Sequence, residues 1–335
     1  MSQDLAERCA ELVAELGLAN PGTDVRIRPL TGGVASDIAV VETEQRDVVV
    51  KFALAKLKVA EDWFAPVHRN RAEYAWLKFA HDTCPANAPK IFGRSEALQG
   101  FAMELLKGEH VYLWKDRLLS GAAPDGEAAK VGGLLGRLHA VSSRTDFDRS
   151  AFRNRDDFHA LRLEPYLSFT AGRHPDLAMR INGLAEALHG SDQVLVHGDV
   201  SPKNILVRDG TPILLDAECA TMGDASFDLA FCLNHLVLKA LHMPTNRDAL
   251  CAEAQSLWNA YAPHVCWEAA ADLEARTVAL LPALMLARVD GKSPVEYLDE
   301  TGRRRVRTLS RPLIAEPAAT ISDFIDILKK QARHQ

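Results

Sequence analysis

The chain has no pair of cysteines at the spacing of a metal or redox motif. Its six cysteines, Cys9, Cys84, Cys219, Cys232, Cys251 and Cys266, are scattered. That excludes a zinc ribbon or a C-x-x-C redox site and fits reduced, mostly buried thiols in a cytosolic protein. A membrane-spanning run is missing too. The longest apolar stretch, residues 278–287, is ten residues and contains Pro282, whereas a spanning helix takes about 20. Nor is there an excess of basic charge: the net charge of −6 lacks the footprint that non-specific nucleic-acid binding needs. The start, Ser2-Gln-Asp-Leu-Ala-Glu7, is acidic where a signal peptide would be basic. Internal repeats and low-complexity tracts are absent as well. These absences lead to the expectation of a cytoplasmic protein with neither a membrane nor a nucleic-acid partner. Apolar content of 47% and charged content of 25% are ordinary for a globular chain, and 335 residues suffice for two lobes with sizeable cores.

What the chain does have is His197-Gly-Asp199-Val-Ser-Pro-Lys203-Asn204, followed twelve residues after Asn204 by Asp216-Ala-Glu218. An H-x-D-x-x-x-x-N loop with an acidic residue downstream supplies the groups a kinase requires. One carboxylate orients an attacking hydroxyl, while an amide and a second carboxylate hold Mg²⁺ on the phosphates of ATP. The local sequence explains how they meet. Val194-Leu-Val196 reads as a buried strand ending at His197. Asn204-Ile-Leu-Val207 and Ile213-Leu-Leu-Asp216 are two more apolar runs, joined through Asp209-Gly210, a strong hairpin signal. Folding there brings Asn204 opposite Asp216 or within a residue of it, close enough for two oxygen ligands to share one ion. Asp199 enters from the preceding loop, placed as a base. Glu218 is grouped with Asn204 and Asp216 as a metal ligand. Asp209 itself is only turn chemistry.

Upstream, residues 4–17 read as an amphipathic helix with Leu5, Cys9, Leu12, Val13 and Leu16 on one face, stopped by Asn20-Pro21-Gly22. Strand patterns follow at 25–28, 38–41 and 48–52. Between the first two lies Thr31-Gly32-Gly33-Val-Ala-Ser36. Gly32 and Gly33 suit either a plain hairpin turn or a turn whose N–H groups approach phosphates. Lys51 ends the third strand and reaches the α/β-phosphates if a carboxylate aims it. Glu73, on a helix around 70–79, is the candidate. Strand 101–106 leads into Lys107-Gly-Glu109. In a two-lobed kinase Met103, Glu104 and Leu105 form the connector whose backbone reads adenine. The expected division is therefore 1–106 for an ATP-binding lobe and 107–335 for a catalytic and substrate-binding lobe. The second lobe reads as mainly helical. Val131, Leu134, Leu135 and Leu138 form a helical stripe with Gly132, Gly133 and Gly136, and helix breaks are expected at Pro263, Pro282, Gly291 and Pro312. The class is α+β, with a small antiparallel N-terminal sheet.

Lys51, Glu73, the 197–204 loop, Asp216-Ala-Glu218 and Gly223-Asp224…Asp228-Leu-Ala together resemble the aminoglycoside phosphotransferase and choline-kinase-like superfamily. Its members have a two-lobed protein-kinase-like fold and phosphorylate small molecules. The resemblance covers most of the chain. It implies Asp199 as catalytic base, Asn204 and Asp216 as magnesium ligands, Lys51 with Glu73 on phosphate, and His197 and Asp228 as supports of the loop. The stretch from Asp216 to Asp228 is too short for the activation segment of a protein kinase, and Ser201 stands where protein kinases place lysine; both favour a small hydroxylated acceptor. Lys203 serves either as a phosphate contact or as a solvated loop lysine.

A narrower similarity, carried by Lys51-Phe-Ala-Leu54, Val59, Trp63 and Arg71-Ala-Glu73, points to the methylthioribose kinase branch. That branch has adjacent arginines near its C-terminus, where this chain offers only Arg288. Asn234, His235, Arg288 and Asp290 are substrate candidates by position. The run Arg303-Arg-Arg-Val-Arg307 reads as an anion attractor or a solvated face. The expected activity is ATP- and Mg²⁺-dependent phosphoryl transfer to a sugar such as methylthioribose or to an amino alcohol. The alternatives are an aminoglycoside-modifying kinase, transfer of AMP, and a nucleotide-binding regulator without transfer activity.

Overall fold

The computed structural model describes residues 3–30, 36–56 and 66–333. Gly32 and Gly33 of the expected phosphate turn lie outside the described residues, as do Val59 and Trp63. Contacts divide the chain into two units, Met1–Glu109 and His110–Gln335.

In the first unit, strands β1 (Arg26–Pro29), β2 (Ser36–Glu42), β3 (Asp47–Ala53), β4 (Ile91–Ser95) and β5 (Gly100–Glu104) form one antiparallel sheet in the order β1-β2-β3-β5-β4. Helix α1 (Gln3–Glu15) lays Leu5, Cys9, Leu12 and Val13 on a face made by Ala39, Val41, Val48, Val50, Phe52 and Ala102. Side chains alternate across a strand. With Val50 and Phe52 given to α1, Lys51 therefore projects from the opposite face. Helix α2 (Arg69–Thr83) meets it there with Glu73.

The second unit is mainly helical. Helices α3 (Trp114–Leu119) and α4 (Glu127–Ser142) come first. Then α5 (Arg155–Phe158), a π-helix (His159–Ser168) and α6 (Phe169–Arg173) run on without a break. Helix α7 (Ala178–Gly190) precedes the strands, and α8 (Ala225–His242), α9 (Arg247–Tyr261), α10 (Ala270–Asp290), α11 (Glu300–Ala315) and α12 (Ile321–Arg333) follow them. Gly132 lets α4 approach α9 closely: a Cβ there would stand 2.1 Å from the Leu257 carbonyl oxygen. The short strands are β6 (Val111–Leu113), β7 (Val194–Val196), β8 (Ile205–Arg208), β9 (Thr211–Leu214) and β10 (Thr221–Gly223). They pair as β6-β8-β9 and β10-β7.

Two expected helix breaks do not occur. Pro282 lies inside α10 and Pro312 inside α11. A helical proline costs one hydrogen bond to the carbonyl four residues earlier. For α10, burial between α8 and α11 on both sides of Pro282 outweighs that loss. For α11 the carbonyl four residues back belongs to Thr308, which is exposed, so water can satisfy it. Pro263 and Gly291 do mark helix ends: Pro263 falls in a 3₁₀ turn after α9, and Gly291 caps α10.

Candidate active site

The residues singled out from the sequence form a cluster in each unit. In the first, Lys51 Nζ donates to Glu73 Oε1 at 2.6 Å, with both side chains only 3% exposed. Burial strengthens the pairing, which holds the ammonium beside Glu73. Beside this strand, Met103 and Glu104 of β5 are opposite Val49 and Val48. The Glu104 N–H donates to the Lys90 carbonyl at 2.8 Å, and its carboxylate accepts the Lys90 N–H at 3.1 Å. Leu105 follows the strand, half-buried.

In the second unit the loop after β7 is held by main-chain groups. Asp228, in the first turn of α8, accepts the N–H groups of His197 at 2.7 Å and Gly198 at 2.9 Å. Its Oδ2 also lies 3.3 Å from His139 Nε2, and His139 Nδ1 is 2.7 Å from the Tyr261 hydroxyl. The helix bearing Asp228 is capped by Asp224, which accepts the Ser226 N–H. Gly198 has φ +78°, a conformation that costs glycine little. A Cβ there would also lie 2.9 Å from the Cys219 side chain and carbonyl. The Asp199 N–H donates to His197 Nδ1 at 3.1 Å, so that nitrogen is unprotonated; Nε2 donates to the Leu215 carbonyl at 3.1 Å. Burial lowers the His197 pKa, in keeping with this neutral tautomer.

The Asp199 carboxylate is buried between two cations. Arg162 Nη2 stands 2.9 Å and Lys203 Nζ 3.2 Å from its Oδ2. Burial alone would raise its pKa, but Lys203 and Arg162 outweigh that and hold the carboxyl below its ordinary value. Asp199 is therefore ionised at neutral pH. Arg162 also donates through Nε to the Gly198 carbonyl at 2.6 Å and through Nη1 to its own helix at Leu161. Of the two roles open to Lys203, the structure shows a half-exposed side chain paired with Asp199.

Asn204 ends a 3₁₀ turn at Pro202–Asn204 and does not begin the strand as the sequence suggested. Ile205 faces Leu214, and the Leu215 N–H donates to the Asn204 carbonyl at 2.9 Å. Asp216 is thus one residue past the position opposite Asn204, and it has φ +69°. The Asn204 amide donates through Nδ2 to the Asp199 carbonyl at 3.1 Å, which leaves Oδ1 as the atom able to meet a cation. Among the described residues no trio of His, Cys, Asp and Glu is placed to hold a metal. An Mg²⁺ on nucleotide phosphates needs only one or two carboxylates, with waters and phosphate oxygens completing the shell. The hard oxygens of Asn204 and Asp216 fit that donor chemistry. Glu218 is buried two residues on.

The four substrate candidates separate. Asn234 and His235 are buried on α8. Arg288 Nη1 donates to the Tyr166 hydroxyl at 3.3 Å and to Ser293 Oγ at 3.0 Å. Asp290 is taken up in an ion network, with Arg307 Nη2 at 2.8 Å and His174 Nε2 at 2.9 Å. The same arginine reaches Glu300, so this member of the arginine run ties α11 to α10. Sequence reading missed Arg162 and His139. Neither carries a local signal: Arg162 lies three residues before Pro165, inside a π-helix that no periodicity marks, and His139 looks like the end of an apolar stripe.

The profile of the phosphotransferase enzyme family matches residues 26–273. The methylthioribose kinase of Citrobacter koseri is 25% identical over 285 residues, covering 73% of this chain and 70% of that protein. The methylthioribose kinase of Yersinia pseudotuberculosis is 24% identical over 254 residues, 64% of this chain and 61% of that protein; the match thus spans under two thirds of the Yersinia enzyme. A choline/ethanolamine kinase family protein from Mesorhizobium loti shares the fold. It superposes with a TM-score of 0.55 at 18% identity, covering 98% of this chain and 100% of that one.

Proposed function

The chain belongs to the phosphotransferase enzyme family, and on that premise we propose that it transfers the γ-phosphoryl group of ATP to a hydroxyl of a small polar metabolite. The observation that carries the reading is Asp199. It is an ionised carboxylate fixed by Arg162 and Lys203 in a loop that also presents the Asn204 amide oxygen.

In this reading Asp199 accepts the proton of the acceptor hydroxyl as its oxygen bonds to the γ-phosphorus. The bond from that phosphorus to the β,γ-bridging oxygen breaks, and ADP leaves. Lys51, aimed by Glu73, neutralises phosphate charge, and the backbone of Met103 to Leu105 meets the adenine. Asn204, Asp216 and Glu218 would hold Mg²⁺, which when bound supplies further charge neutralisation on the phosphates. The first unit thus serves as the ATP-binding part and the second as the catalytic and substrate-binding part. Catalysis of this kind is chiefly positioning and electrostatics, with general-base help worth about 10²–10⁴-fold.

The relatives named as methylthioribose kinases put that sugar first among compounds to try. The test is ATP consumption across a metabolite library that includes methylthioribose, choline, homoserine and aminoglycosides, each with and without Mg²⁺. Consumption that depends on one added compound supports the reading. ATP binding with no acceptor-dependent turnover across the library opposes it.

A further inference from the structure

The second unit gathers cations beside the catalytic loop; Lys203 and Lys115 are paired with Asp199 and Glu296, whereas Arg288 and Lys239 have no acidic partner among the described residues. The π-helix that sends Arg162 to Asp199 also carries Tyr166, whose hydroxyl accepts from Arg288. The Tyr166 ring meets Phe231 at 5.5 Å, and Phe231 meets His235 at 5.5 Å. One turn further along α8, Lys239 is 1% exposed, with its ammonium 5.2 Å from the centre of the Tyr297 ring. Lys115 of α3 reaches the same place, pairing with Glu296. Arg288, Lys239 and Lys115 come from three helices and all bear on His235, and Glu296 is already paired.

Three polar groups on α8, on α10 and in the segment after α10 are unsatisfied. Arg288 Nε, the Tyr297 hydroxyl and both amide atoms of the fully buried Asn234 find no hydrogen-bond partner among the described residues. Buried polar groups without partners are destabilising, and buried charges are normally paired. The electrostatics agree. Burial, with Lys115 and Arg288, brings the Lys239 ammonium down to about 7. Burial first, then Arg288, Lys239, Lys203 and Lys115, hold the His235 imidazole well below its ordinary value. Four basic side chains therefore bear on His235, and one of them, Lys203, is bonded to Asp199.

Resting on the phosphotransfer reading, we propose that the acceptor is an oxyanion: a hydroxylated metabolite whose carboxylate or phosphate is held by Arg288, Lys239 and Lys115 while its hydroxyl faces Asp199. An anion supplies the missing countercharge and accepts from the unsatisfied donors. A choline-like or aminoglycoside-like cation would add to the repulsion.

The experiment is calorimetric titration of wild-type protein, Arg288→Met and Lys115→Ala with five probes. D-glycerate carries a carboxylate, D-ribose 5-phosphate a phosphate ester, glycerol and methylthioribose no charge, and choline a cation. The expected result is binding of at least one of the two anions, at least tenfold weaker in each variant, with no binding of choline. Lys115 is partly exposed, so Lys115→Ala tests the site even if Arg288→Met does not fold. Failure of both anions to bind, or equal binding by wild type and Lys115→Ala, overturns the proposal. ATP consumption with the same five probes separates the two claims. Turnover of choline or a neutral probe without anion binding overturns the oxyanion site and leaves phosphotransfer standing. Variant-sensitive anion binding without turnover supports the site and counts against phosphotransfer.

Discussion

Arg162 Nη2 lies 2.9 Å from Oδ2 of Asp199, and Nε of the same guanidinium holds the Gly198 carbonyl at 2.6 Å. One side chain therefore sets both the charge of the proposed base and the backbone that carries it. Arg162→Met should lower kcat by about 10-fold or more, since misplacing a reacting group by an ångström can cost about 10². It should also move the acidic limb of the pH–rate profile. Lys203 and Arg162 keep the Asp199 pKa below its ordinary value, so removing Arg162 raises that pKa and shifts the limb to higher pH. The stability this depressed carboxyl contributes is present above its unfolded value and lost as pH falls through its folded value. The variant should therefore lose less stability than wild type on acidification in that range. A profile unchanged in position would contradict the role of Arg162.

Asp228 offers a second handle on the loop. Its carboxylate accepts the two N–H groups of His197 and Gly198, and Asp228→Asn turns one acceptor into a donor facing a donor. The expected cost is about 1–3 kcal/mol of stability, measured by denaturant unfolding. At temperatures where the variant is folded, kcat should fall while the KM for ATP changes little.

The buried Lys51–Glu73 pair makes a double-mutant cycle informative. Breaking one partner of such a pair leaves an uncompensated charge and costs about 3–5 kcal/mol, whereas apolar replacement of both can be nearly neutral. Lys51→Met/Glu73→Leu should therefore be more stable than Glu73→Leu alone, yet bind ATP as poorly as Lys51→Met. Additive destabilisation in urea titrations would contradict the pairing energetics.

Asp216 adopts φ +69°, which aspartate and asparagine tolerate better than most residues. Asp216→Asn should therefore keep the backbone and remove only the charge. The Mg²⁺ concentration giving half-maximal activity should rise at least tenfold, with the KM for the acceptor little changed. An unaltered Mg²⁺ dependence would remove Asp216 from the proposed metal site.

The sequence made the hairpin legible because its chemistry is local. Asp209 and Gly210 both have positive φ, as a two-residue type I′ turn requires, and that turn sets which residues neighbour Asn204. The β-branched run before Lys51 likewise marked strand β3, though not the face that Lys51 takes. Long-range partners were not legible. Arg162 reaches Asp199 only through a π-helix that no periodicity announces, and His139 of α4 meets Asp228 of α8 only in the folded chain. Asp290 looked like a substrate ligand by position, but it is bound to Arg307 and His174; only the packed helices reveal that. The helices through Pro282 and Pro312 failed as expectations for a related reason: burial and solvent access decide whether a lost hydrogen bond ends a helix.

The most direct test of the account is Asp199→Asn, assayed for acceptor-dependent ATP consumption beside wild type, with ATP affinity measured separately. The account predicts a loss of about 10²–10⁴-fold in turnover with ATP affinity nearly unchanged. Turnover close to wild type would contradict it.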